Sequence, residues 1–264
     1  MSSEVRVAVF RPDDERLAEA VELLDSLGAD PVADPMLEVR PTGNAPEAGD
    51  YVVLTSKTGV ELAAGAGWEP GEVSASEASG GSEERESSGA TVCAIGESTA
   101  DALREAGYEV DVVPAEYSST GLVEALEDEV AGQRVEVARS DHGSPVLTEG
   151  LADAGADVNE TVLYQLVRPE GSGESAELAA EGRLEAALFT SSLTVAHFLE
   201  AADERGVREA AVAGLNDAVV GAIGEPTRET AESEGIAVDV VPEVADFEQL
   251  ACAVVEEAAP SYNG

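Results

Sequence analysis

The chain repeats itself, element by element, at an offset of 127 to 128 residues, and that constrains its fold more than any other feature. Arg6-Val7-Ala8-Val9-Phe10-Arg11 returns as Arg134-Val135-Glu136-Val137-Ala138-Arg139, and Gly28-Ala29-Asp30 as Gly155-Ala156-Asp157. Val39-Arg40-Pro41 returns as Val167-Arg168-Pro169, Ala94-Ile95-Gly96-Glu97 as Ala222-Ile223-Gly224-Glu225, and Asp111-Val112-Val113-Pro114 as Asp239-Val240-Val241-Pro242. A period of about 128 residues is too long for a solenoid and the size of a domain. Two copies of one α/β unit are expected, with any site that uses both copies lying between them.

Each copy opens on a short β-branched run, Val5–Phe10 and Val135–Ala138, that reads as a buried parallel strand. In the first copy Pro12-Asp13-Asp14 starts a helix whose Leu17, Ala20, Val21, Leu24 and Leu27 share one face, and Gly28 stops it. Second strands are expected near Pro31–Val39 and Val158–Val167. Third strands end in hydroxyl residues, at Thr55-Ser56 and at Thr190-Ser191-Ser192. Strands Thr91–Ile95 and Ala218–Ile223 lead through Gly-Glu into helices, and last strands are predicted at Glu109–Val113 and Ala237–Val241. Closing helices are expected at Gly121–Val130 and Phe247–Ala258. Strands alternating with helices at these lengths imply parallel sheets covered on both faces. Glu69 to Gly89 is Ser, Glu and Gly with almost nothing apolar, which predicts a flexible surface insertion, and Pro260–Gly264 a frayed tail.

Charge sets the environment. Fifty-five acidic residues face 14 basic ones, a net of −41, and Lys57 is the one lysine. Disorder needs low hydrophobicity as well, whereas 44% of this chain is apolar and falls in periodic runs. Such a charge repels itself across a small globule, and near 1 M salt, where the Debye length is about 3 Å, the repulsion fades. A cytoplasmic protein of a salty cytosol is expected, since acid-rich, lysine-poor composition resembles that of haloarchaeal proteins. No signal peptide or membrane span is legible, and the lack of a basic patch argues against nucleic acid. Cys93 and Cys252 read as buried free thiols.

Ligands of parallel α/β sheets lie outside the carboxyl ends of the strands. Arg11, Thr55, Ser56, Lys57, Gly96, Ser98, Thr99 and Ser118-Ser119-Thr120 gather there from the first copy. Arg139, Ser140, Thr190, Ser191, Ser192, Gly224 and Thr227 do so from the second. Helix N-termini at the same places favour an anion, although serine and threonine are also ordinary N-caps. A carboxylate-rich ligand suits such an edge. Lys57 reads either as solvated or as a carboxylate contact. Tyr164 reads as a core residue or as a phenol that reaches the crevice. His142, in Ser140-Asp141-His142-Gly143, sits near the predicted crevice, and His197 reads as a partly buried packing residue. No phosphate loop, dinucleotide fingerprint, catalytic triad or metal-ligand spacing is present.

Val9-Phe10-Arg11-Pro12, Val53-Leu54-Thr55-Ser56-Lys57-Thr58-Gly59-Val60, Ala94-Ile95-Gly96-Glu97-Ser98-Thr99, Val162-Leu163-Tyr164, Phe189-Thr190-Ser191-Ser192 and Ile223-Gly224-Glu225-Pro226-Thr227 occur in one order along the chain. In that order and spacing the sequence resembles the uroporphyrinogen-III synthase family. Lys57, where the family has a small or neutral residue, and the polar insertion depart from its pattern. The resemblance implies two flavodoxin-like lobes joined by a two-stranded connector, with a cleft between them. Residues 41–168 would form a lobe inserted into one made of 1–40 and 169–264, whereas the sequence alone permits 1–128 and 129–264 equally. It further implies that the chain, without a cofactor, closes linear hydroxymethylbilane to uroporphyrinogen III with inversion of the last pyrrole ring; a monomer is expected. Tyr164 would assist departure of the hydroxyl. A non-catalytic two-lobed protein for a small anion, or a degenerate regulatory homologue, are the alternatives.

Overall fold

A computed structural model describes residues 5–71 and 89–259. Most of the expected insertion, and the whole of the Pro260–Gly264 tail, lie outside the described residues. The first half of the chain runs β1 (Val5–Phe10), α1 (Glu15–Ser26), β2 (Ala29–Ala33), β3 (Glu38–Pro41), β4 (Tyr51–Leu54), α2 (Lys57–Gly65), β5 (Thr91–Ala94), α3 (Glu97–Glu105) and α4 (Ser119–Leu126). The second runs β6 (Arg134–Ser140), α5 (Pro145–Asp153), β7 (Asp157–Val167), α6 (Glu174–Ala180), β8 (Ala186–Phe189), α7 (Ser192–Glu204), α8 (Arg208–Asn216), β9 (Val219–Ala222), α9 (Glu225–Ser233) and α10 (Phe247–Ala258). These elements divide into two compact units, Met1–Val39 with Val167–Gly264, and Arg40–Leu166.

The discontinuous unit holds a sheet of order β2-β1-β8-β9, to which a single bridge adds Val240 beside Gly221. The Arg40–Leu166 unit holds β3-β7-β6-β4-β5, with Val112 bridged to Cys93. Pairing of β1 with β2 and β8, of β8 with β9, of β4 with β5 and β6, and of β6 with β7 is parallel throughout. Numbered from β1, the first sheet reads 2-1-3-4-5, and numbered from β6, the second reads the same once edge strand β3 is set aside. Each unit therefore takes its first two strands from one sequence copy and its last three from the other. In this order the chain reverses direction between β1 and β8, and between β6 and β4, which are the places where such sheets open a crevice.

Apolar periodicity explains the layers. Phe10, Phe189 and Phe198 meet with ring centroids 4.6, 5.3 and 5.7 Å apart in one core. Leu122, Leu126, Leu147 and Leu151 close on Val135 and Val137 in the other. Helices α6 and α8 carry only short apolar faces and are not foreseen from the sequence. They approach so closely that a Cβ on Gly214 would lie 1.8 Å from the Ala179 carbonyl oxygen, so only glycine fits there.

Three expectations need correction. The stretch predicted as one strand over Pro31–Val39 is two, because Asp34 turns away and its carboxylate accepts the Gly173 and Ser175 N–H groups at 2.7 and 2.9 Å and the Ser175 hydroxyl. Pro35 then removes a ladder donor. The last predicted strand of each copy is one bridge long. The repeated Asp111 and Asp239 side chains take the N–H groups of Val92 and Val220, each at 2.8 Å, in place of a backbone partner. Cys252 is exposed, since α10 turns Leu250, Ala251 and Val254 inward, whereas Cys93 is buried. Burial pushes the Cys93 thiol up to about 12, and a thiol so rarely ionised is no nucleophile. His197 is buried, its Nδ1 2.5 Å from the Met36 carbonyl oxygen.

Candidate functional site

At the crevice of the Arg40–Leu166 unit, β4 runs out at Leu54 and Ser56 caps α2, its Oγ accepting the Gly59 N–H at 3.0 Å. Facing it, the parallel register of β6 with β7 pairs Arg139 with Val162 and then Ser140 with Tyr164, skipping Leu163. One extra residue in a strand breaks the alternation of faces and re-aims the next side chain. Leu163 and Tyr164 are in consequence both buried. The Tyr164 hydroxyl lies 3.0 Å from Ser56 Oγ, with either atom able to donate. The phenol is thus a core ring with its polar end at the crevice, and both sequence readings of this residue describe part of it.

Arg139 builds the adjacent loop. Its side chain is 6% exposed; Nε and one terminal nitrogen bind the two oxygens of Glu160 at 3.0 and 2.8 Å, and the other donates to the Ser144 carbonyl at 2.5 Å. The loop from Ser140 to Ser144 wraps the guanidinium so tightly that a Cβ on Gly143 would lie 2.3 Å from Arg139 Cδ. Within this loop His142 Nδ1 is 2.8 Å from Asp141 Oδ1, and the same oxygen accepts the Leu166 N–H at 3.0 Å. Burial tends to raise the Asp141 carboxyl, but the His142 contact and the Leu166 N–H outweigh it and hold the group below its ordinary value.

Tyr164, Ser56, Thr55, Ser119, Arg139 and Ser140 line one cavity of about 230 Å³, joined by His142 and the Gly143-Ser144 turn. Lys57, Gly96, Ser98 and Thr99 line a second, more open hollow of about 570 Å³, which shares Thr55, Ser56 and Ile95 with the first. Lys57 there is exposed and 3.8 Å from Glu61. Gly96 lies under Tyr117, where a Cβ would come 3.1 Å from the ring. Tyr117 is not anticipated from the sequence, and its place directly before the Ser118 cap of α4 is the one available signal.

In the discontinuous unit the equivalent edge carries Arg11, Thr190, Ser191, Ser192, Gly224 and Thr227. Thr190 donates to the Phe10 carbonyl at 2.6 Å, Ser191 forms a capping box with Thr194, and Ser192 donates to the Pro226 carbonyl at 3.0 Å. Gly224 caps α9, and Thr227 is buried in its first turn. These hydroxyls hold strand and helix ends in place. Arg11 differs. Its guanidinium lies 4.4 Å over the Phe247 ring, and its Nε is buried with no hydrogen-bond partner among the described residues. Arg6, Arg134, Arg139 and Arg168, by contrast, each hold a carboxylate. Burial, then the charge of Arg16, lower the Arg11 pKa, with Asp14 and Glu19 pulling the other way. No group of three His, Cys, Asp or Glu residues that could hold a metal ion occurs among the described residues.

Fold and site together define a parallel α/β protein, built twice from one motif, that offers a polar ligand a tyrosine-centred cavity at its strand ends. The family described as uroporphyrinogen-III synthase HemD matches residues 18–252. A Methanothermobacter thermautotrophicus protein, provisionally assigned as a uroporphyrinogen-III synthase, is 32% identical over 249 residues, 90% of this chain and 92% of that one. The Chlorobaculum parvum uroporphyrinogen-III synthase is 30% identical over 169 residues, 62% of this chain and 65% of its own. Among solved structures, a mutant uroporphyrinogen III synthase of Thermus thermophilus shares the fold at a TM-score of 0.63 and 20% identity, over 96% of this chain and 98% of that one. The chain belongs to the uroporphyrinogen-III synthase family.

Proposed function

We propose that this protein cyclises hydroxymethylbilane to uroporphyrinogen III, and that the Tyr164 cavity is where the hydroxyl departs. The non-catalytic anion-binding alternative is not favoured by its relatives. Left alone, the bilane closes without inverting its last ring, so the protein's task is to hold that ring in the orientation that inverts. At about 230 Å³ the cavity lies below the range of about 300–1,000 Å³ of sites for drug-sized ligands, so it takes a part of the bilane and not all four rings. The observation that carries the reading is the Tyr164 phenol, held against Ser56 at 3.0 Å inside that cavity. With Ser56 donating to the phenol oxygen, the phenol's own proton points away from Ser56 and is free for the leaving hydroxyl, which departs as water.

The two units are read as the family's flavodoxin-like lobes, Arg40–Leu166 being the inserted one, on the support of their common 2-1-3-4-5 strand order. Arg11 is read as a carboxylate contact, because a partly desolvated guanidinium whose Nε has no partner among the described residues is otherwise costly. A monomer in a salt-rich cytoplasm fits the composition. The test is Tyr164→Phe, assayed with enzymatically generated hydroxymethylbilane and separation of isomers I and III. Loss of general-acid help should lower isomer III formation by about 10²-fold or more. A variant with the full rate would show that the phenol has no part in the reaction.

A further inference from the structure

We infer that His142 is the base that removes the last proton in ring closure, with Asp141 as its positioning residue. This rests on the reading of the Tyr164 cavity given above and goes beyond it. The chemistry needs such a group. At the start, the C–O bond of the hydroxymethyl group breaks and the oxygen leaves as water, taking one proton from the Tyr164 phenol. At the end, the free α-carbon of the terminal pyrrole forms the closing C–C bond to a methylene carbon. Its C–H bond must then break, the electron pair returning to the ring to restore aromaticity. One proton enters and one leaves, so bilane equals macrocycle plus water, and the cycle closes when the imidazolium of His142 gives its proton to solvent and the Tyr164 phenolate regains one from it.

His142 has the geometry for the second transfer. It lines the same cavity as Tyr164, and its ring is 44% exposed toward solvent. Asp141 Oδ1 faces both the Leu166 N–H and the imidazole, and an ionised carboxylate can only accept from each. The depressed Asp141 pKa agrees with an ionised acceptor. Nδ1 is therefore the protonated nitrogen, and Nε2 keeps a lone pair for the substrate. The loop is also fixed at each end: Arg139 holds Ser144 and fills the space beneath Gly143, and Leu166 of β7 holds Asp141. A base on a loop pinned in this way keeps its direction while the terminal ring turns over.

The experiment uses hydroxymethylbilane carrying deuterium or hydrogen at the free α-carbon of the terminal ring, with the wild-type protein, His142→Gln and Asp141→Asn. His142→Gln should slow isomer III formation by about 10²-fold and bring out a primary deuterium isotope effect that wild type lacks, because proton removal has become rate-limiting. Asp141→Asn keeps an acceptor for Leu166 but no longer fixes the tautomer, and should show a smaller loss with the same isotope effect. Formation of isomer III at the wild-type rate by His142→Gln overturns the inference. So does a slowed rate with no isotope effect, which would mark a structural role only. Failure of the wild-type protein itself to form isomer III would instead refute the proposed function.

Discussion

The loop that carries His142 can be tested without any substrate, by asking whether Arg139 and Gly143 act as one unit. Arg139→Ala removes two bonds to Glu160 and one to the Ser144 carbonyl. Breaking a buried pair costs about 3–5 kcal/mol; the Glu160 side chain is 37% exposed and regains water, which places this change near the low end, about 3 kcal/mol. Gly143→Ala sets a Cβ at 2.3, 2.5 and 2.6 Å from Cδ, Nε and Nη1 of Arg139. A free arginine would swing aside, but this one is held at both ends, so an overpacking cost of about 1–3 kcal/mol is expected. In the Arg139→Ala background the three atoms nearest the new methyl are gone, and the double variant should be no less stable than Arg139→Ala alone. Trp68 is the sole tryptophan; it is buried in this unit 5.2 Å from the Tyr108 ring, so its fluorescence reports urea unfolding of this unit at fixed salt. Two single costs that add to within about 0.5 kcal/mol would refute the idea that the loop is built on the guanidinium.

Two further outcomes are expected. Arg11→Ala should raise KM for the bilane while leaving kcat nearly unchanged, since a carboxylate held equally in substrate and transition state contributes uniform binding; an equal fall in kcat would move Arg11 into the chemistry. Isomer III formation should rise steeply with KCl as 41 unbalanced negative charges are screened from a polycarboxylate substrate, and a flat profile up to molar KCl would remove the case for a salt-rich setting.

Much of the site lies open in the sequence because it sits where the strands end. Thr55-Ser56 and Thr190-Ser191-Ser192 mark the carboxyl ends of β4 and β8 by residue type alone. Tyr164 can be placed on its strand, but the sequence leaves open whether it faces core or crevice, because the bulge at Leu163 leaves no compositional trace and shifts every face after it. Arg139 illustrates a different blindness: an arginine at a strand end looks the same whether its partner is a ligand or Glu160, which is 21 residues further on. Asp111 and Asp239 belong to the repeat, yet their service as ladder acceptors depends on β5 and β9, each 19 residues earlier in the chain and across an intervening helix. The repeat itself identifies two copies and is silent about strand exchange, since an offset of 128 is unchanged whether β1 pairs with its own copy or with β8.

That exchange bears on how the chain is made. Arg6 waits for Glu185, 179 residues later, before the ladder on the β8 side of β1 can begin. At about 5–20 residues per second that is roughly 10–40 s of translation. Everything that Arg40–Leu166 needs has by then left the ribosome, so this contiguous unit can fold first, while β1 has only β2 to pair with and its β8-side edge stays open. A nascent chain stalled in that interval exposes the kind of edge that templates aggregation, and this stage, more than the finished enzyme, is where a chaperone would have most to protect.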